Sequence, residues 1–157
     1  MQPPKRILFV CLGNICRSPA AEAVLREKAR ARELAIVVDS AGVGGWHVGE
    51  PPDRRMVVAL KRRGYDVGKR VARRVGSADF RNFDYMLAMD LKNLADLMAL
   101  APARRSADLR LFLDFAQTDQ RETPDPYHGR DAEFEDVLDL IEKGVEAFLD
   151  HLERDKG

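Results

Sequence analysis

The residues able to do chemistry are concentrated in one short string, C-L-G-N-I-C-R-S, from Cys11 to Ser18. A cysteine followed by five residues and an arginine lets the backbone wrap so that its N–H groups converge on one anion, at the positive end of the helix that follows. Gly13 permits the tight turn, and Asn14 either takes left-handed angles or ties the loop by side-chain hydrogen bonds. Arg17 closes the ring with a planar fork that matches two oxygens of a phosphoryl group, which a lysine does not. The same field favours the thiolate of Cys11, a nucleophile at neutral pH, and a hydroxyl from Ser18 could steady that sulfur. Thiolate attack on a phosphate monoester needs a proton for the departing oxygen. Asp125 is the candidate, because Pro126 restricts its backbone to extended angles that help point a carboxyl inward. Standing alone, an Asp before Pro is ordinary turn chemistry.

Such a loop needs a buried strand before it and a helix after it. Lys5–Val10 (K-R-I-L-F-V) reads as a strand covered on both faces. Ser18 is placed to cap the next helix, with Pro19 at its first position. Ala35–Asp39 reads as a second strand. A glycine-rich loop with Trp46 and His47 then leads through Pro51 and Pro52 into a helix ending near Arg63, punctuated by Gly64. Tyr65–Arg74 reads as loop, Asp84–Met89 as a third strand, Asp90–Leu100 as helix and Leu109–Leu113 as a weaker fourth strand. Asp114–Arg130 is long and irregular, a length that in compact domains usually signals function. Phe134, Val137, Leu138, Ile141, Val145, Phe148 and Leu152 form one apolar helical face within Ala132–Leu152. Strands alternating with helices predict an α/β fold: a three-layer sandwich with a Rossmann-like, four-stranded parallel sheet and helices on both faces.

The 157 residues suit a single domain spanning 1–157. Lys plus Arg equals Asp plus Glu at 26 each, so nothing in the overall charge points to nucleic acid or an anionic membrane, and any anion site must be local. No apolar run approaches the ~20 residues of a membrane span. Two cysteines in one loop would staple almost nothing, which predicts a reducing, cytoplasmic setting with thiols kept for reactivity. The three histidines lack metal-ligand spacing with the cysteines, so neither a metal site nor a cofactor is expected. Arg62, Arg63 and the basic stretch Arg70–Arg74 read as solvated faces.

The string F-V-C-L-G-N-I-C-R-S-P-A-A-E resembles the phosphate-binding loop of low-molecular-weight protein tyrosine phosphatases. D-S-A-G at Asp39, W-H-V-G-E-P-P-D at Trp46, F-D-Y-M-L-A-M-D with Asn93 and Leu94, and D-P-Y at Asp125 resemble family segments in the family's order. The resemblance implies phosphotyrosine hydrolysis through a phosphocysteine on Cys11, with Arg17 binding the phosphoryl group and Asp125 as general acid and then base. It implies substrate contacts from Leu12, Gly13, Asn14, Ile15, Cys16 and Ser18, with Trp46 and Tyr127 as aromatic walls. Phosphotyrosine-containing proteins would be the partners, and inorganic phosphate both product and inhibitor. In the family a threonine at the Ile15 position accompanies phosphoarginine substrates, so Ile15 implies phosphotyrosine. Two positions depart from the pattern. His128 follows Tyr127 where many members have a second tyrosine. Arg70 stands where many have a buried histidine that buttresses the positions of Asn14 and Ser40, and it either alters the surroundings of the thiol or points into solvent. Arsenate reduction on the same loop needs relay cysteines, which are absent from this sequence, and a thiol sensor pairing Cys11 with Cys16 would have no need of Asp125.

Overall fold

The computed structural model describes residues 3–155. Its sheet contains β1 (Lys5–Cys11), β2 (Ile36–Gly42), β3 (Tyr85–Ala88) and β4 (Asp108–Leu111), all parallel, in the order β2-β1-β3-β4. Helices α1 (Arg17–Ala31), α2 (Arg54–Arg62), α3 (Asp79–Asn82), α4 (Leu91–Leu100) and α5 (Asp131–Asp155) surround it, with a 3-10 helix at Phe112–Ala116.

Placing β1 inside the sheet explains its continuous apolar run. Successive side chains leave opposite faces of a strand, so Ile7, Phe9 and Cys11 pack with α1, α2 and α5, while Leu8 and Val10 pack with Phe80 of α3 and Leu97 of α4. These are the three layers anticipated from the sequence. On the larger side, the apolar stripe of α5 seats on the 3-10 helix and α1, and Phe112 meets Phe9 edge to face at 5.2 Å.

Local differences have local causes. β2 continues past Asp39 to Gly42, because Ser40, Ala41 and Gly42 keep pairing with Phe9, Val10 and Cys11. The fourth strand begins at Asp108 and gives way at Phe112 to the 3-10 helix, so the irregular stretch is partly structured at its start. Ser18 is not the cap of α1: the helix starts at Arg17, and the Ser18 hydroxyl is used by the loop. Asp53 and Asp90 cap α2 and α4 through their carboxylates, as N-caps should.

Charged residues expected to face solvent are drawn into the framework. Arg63 binds Glu135, Asp139 and Glu142 of α5, Arg73 bridges Asp39 and Asp79, and Arg70 is largely buried. Arg62, at 64% exposure, and Arg74 remain open to solvent as anticipated.

Close packing of α5 yields a test. A Cβ on Gly144 would lie 2.6 Å from Phe112 Cζ and 2.8 Å from Leu113 Cδ2. Gly144→Val is therefore expected to destabilise the fold by about 1–3 kcal/mol through overpacking. The urea midpoint should fall accordingly, and an unchanged midpoint would contradict the tight seat of α5 on the 3-10 helix.

Candidate active site

The loop between β1 and α1 curls around Cys11, whose residue is 2% exposed. Its Sγ lies 2.9 Å from Ser18 Oγ and accepts a 3.3 Å hydrogen bond from the Asn14 backbone N–H. Asn14 has φ of 59°, and its carboxamide is fully used. Nδ2 donates to Ser18 Oγ at 2.9 Å and Ser40 Oγ at 3.0 Å, while Oδ1 accepts from the Arg73 N–H at 2.9 Å and Arg70 Nη2 at 3.1 Å. Both uses of Asn14 left open by the sequence thus occur together. Since Ser18 Oγ accepts from Asn14, its own proton is left for the sulfur. Ser40 in turn donates to buried Glu22 at 2.7 Å.

Arg17 is 3% exposed and aimed by Nη1, which donates to Asp90 Oδ2 and the Thr123 carbonyl, each at 2.8 Å. Burial works against its charge, but the Cys11 sulfur, Asp90 and Asp125 more than compensate, holding the guanidinium above its ordinary range. Its Nη2 stands 3.8 Å from Asp125 Oδ2. The other carboxylate oxygen, Oδ1, accepts the Tyr127 N–H at 3.1 Å. One oxygen of Asp125 thus serves the turn and the other faces the guanidinium. Burial, then the negative charge at Cys11, Asp53 and Asp125, pushes the Cys16 thiol far up, so it stays protonated beside Cys11.

A cavity of about 270 Å³ opens above the loop. Cys11, Leu12, Gly13, Ile15, Cys16 and Arg17 of the loop line it together with Trp46, Asp125 and Tyr127. Trp46 is 72% exposed, in keeping with its glycine-flanked setting. Asn14 and Ser18 lie behind the loop, with side chains turned to its frame. His47 and His128 also line the opening, although the sequence assigned them no part. Among the described residues, no group of three or more His, Cys, Asp or Glu side chains is arranged to hold a metal ion.

Sequence reasoning missed several supports. Asp90 ends the D-Y-M-L-A-M-D segment and both caps α4 and aims Arg17; its position between strand and helix was the available signal. Arg55 fastens the Asp125 loop by donating to the Tyr127 carbonyl at 2.8 Å while paired with Asp53, whose N–H donates to the Ile15 carbonyl. The two sides of the cleft are thereby joined. A buried guanidinium, a cysteine sulfur and a carboxyl gathered at one opening are groups suited to displacement at phosphorus.

A family model described as low molecular weight phosphotyrosine protein phosphatase matches residues 6–157. The chain is 40% identical over 153 residues to low molecular weight protein-tyrosine-phosphatase YfkJ of Bacillus subtilis, covering 96% of this chain and 97% of that protein. Its structure is similar to that of a protein tyrosine phosphatase from Entamoeba histolytica with Hepes in the active site, with TM-score 0.91 and 40% identity, covering 98% and 99% of the two chains. It is also similar to the Drosophila arginine phosphatase DARP, with TM-score 0.89 and 34% identity, covering 93% and 97%.

The loop leaves no slack beside β2. A Cβ on Gly42 would meet the Leu12 carbonyl oxygen at 2.8 Å, Gly13 C at 3.1 Å and Asn14 N at 3.2 Å, all backbone atoms of the cradle. Gly42→Ala should distort the N–H array and weaken binding of inorganic phosphate by about ten- to a hundredfold, as sub-ångström misplacement does in such sites. Calorimetric titration of both proteins would show it, and equal affinities would refute the backbone-cradle reading.

Proposed function

This chain belongs to the low molecular weight phosphotyrosine protein phosphatase family and is a protein-tyrosine phosphatase, and on that footing we propose that it hydrolyses phosphotyrosine through a phosphocysteine on Cys11. The observation that best supports this path is the convergence of Cys11, Arg17 and Asp125 on one cleft, with the Asp125 carboxylate 3.8 Å from the Arg17 guanidinium.

In the proposed reaction the Cys11 thiolate attacks phosphorus, and the phosphorus–oxygen bond to tyrosine breaks. Arg17 and the loop N–H groups take up the charge of the equatorial oxygens. Asp125 gives its proton to the departing phenoxide, then removes one from a water that cleaves the sulfur–phosphorus bond and releases inorganic phosphate. Ser18, hydrogen-bonded to Sγ, lowers the cost of expelling sulfur as an anion in the second step. Released phosphate, fitting the same cradle, acts as a competitive inhibitor.

Leu12, Ile15, Trp46 and Tyr127 supply apolar surface for an aromatic ring, which supports phosphotyrosine over phosphoarginine as substrate. Two free, buried cysteines at the reaction centre fit a reducing cytoplasm, and the family match over nearly the whole chain fits one phosphatase domain.

Rates with phenyl phosphate, an activated aryl phosphate, phosphotyrosine peptide and phosphoarginine separate the steps. Cys11→Ser should abolish turnover; retained activity would rule out the covalent path. Asp125→Asn should lower kcat on phenyl phosphate by about 10²–10⁴-fold and far less on the activated ester. Equal losses on both esters would remove Asp125 from the role of acid, and preference for phosphoarginine would overturn the substrate assignment.

A further inference from the structure

The Asn14 carboxamide is held from behind by a charged side chain. Arg70, with its side chain 12% exposed, donates from Nη2 to Asn14 Oδ1 at 3.1 Å and to the Ser40 carbonyl at 3.3 Å, and from Nη1 to Glu22 Oε1. Asp39 Oδ1 stands 3.5 Å from Nη1. The chain of contacts from the guanidinium to the nucleophile is short: Arg70 to Asn14, Asn14 to Ser18, Ser18 to Cys11 Sγ.

We propose that Arg70 is a positioning residue whose permanent charge keeps the Cys11 loop in one geometry across the working pH range, so that the framework behind the loop contributes no ionisation to the pH–rate profile. The proposal rests on Cys11 being the nucleophile.

Every charged group facing Arg70 is compatible with this. From α1 comes Glu22, 5% exposed and shared with Arg26 and the Ser40 hydroxyl. From β2 comes Asp39, also bound by Arg73, which is neutralised in turn by Asp79 of α3. A guanidinium keeps its charge throughout the working range. His47 lies against the loop at Gly13, where a Cβ would meet its ring at 2.8 Å, and it pairs with Glu50. It has no place in the Asn14 network. Stability alone is a poor account of the arrangement, since a buried ion pair gains little over an apolar replacement and Arg70 Nε is buried without an acceptor.

The test measures kcat and KM for an aryl phosphate from pH 5 to 9 for wild type, Arg70→His, Arg70→Lys and Arg70→Gln, with thermal unfolding alongside. Dividing each variant's kcat by wild type cancels limbs that belong to Cys11 and Asp125. For Arg70→His the ratio should be near one at low pH and fall about ten- to a hundredfold as the ring loses its proton, at a pH above the usual histidine range because Glu22 and Asp39 favour the charged ring. Arg70→Lys should keep a pH-independent ratio below one, retaining charge without the fork. Arg70→Gln should be low throughout, with KM little changed. A flat Arg70→His ratio, or losses that follow only the unfolding temperature, would overturn the proposal, and the histidine ratio decides the matter even if Arg70→Gln does not fold. Failure of the covalent reading would appear separately, as turnover retained by Cys11→Ser.

Discussion

The left-handed turn at Asn14 is the constraint from which the site follows. An anion cradle needs consecutive N–H groups aimed inward, which forces a backbone conformation that side chains other than glycine rarely take. Asparagine tolerates it better than most residues because its short amide can bond locally. Here that amide has two donors and two acceptors engaged, by Ser18, Ser40, Arg73 and Arg70. A strained turn persists when its surroundings over-determine it. The partners come from α1, the end of β2 and the segment before α3, so three separate parts of the chain hold one residue.

Parallel pairing brings these partners together. The β1–β2 register sets Phe9 opposite Ser40 and Cys11 opposite Gly42, so the hydroxyl meets the loop from the side while the missing side chain leaves room for its backbone. Position β3 on the other flank of β1 and its end delivers Asp90 to Arg17. Ligand sites beyond the carboxyl ends of parallel strands arise in this way, because neighbouring strands release their loops at one edge.

Electrostatics follow the same economy. The chain has no formal net charge, yet its positive centre at Arg17 is strongly defined. Arg17 is flanked by Asp90, Asp125 and the sulfur, and Arg70 by Glu22 and Asp39. Pairing of this kind offsets the desolvation of buried guanidinium groups and fixes their direction. Direction matters more than strength here, because a fork delivers its two donors only along one plane.

Much of this was legible in the order of residues. A continuous apolar run, a cysteine and arginine at loop spacing, and a helix-forming stretch are local patterns, and local patterns are written in consecutive residues; the same holds for the alternation of strands and helices and for the amphipathic face of α5. Asp125 was visible mainly through resemblance, because its partner Arg17 lies far away in the sequence. Supports that depend on distant partners were hidden: Asp90 on Arg17, Arg55 on the Tyr127 carbonyl, and Arg70 on Glu22 and Asn14. Arg70 shows the reason most plainly. The stretch around it is rich in Lys and Arg, the charge pattern of a solvated face, and only α1 and β2 supply the carboxylates that make burying its charge possible. Which groups can react is written in the order of residues; which charges stand behind them is a matter of folding, because Coulomb and hydrogen-bond energies depend on distance in space and not along the chain.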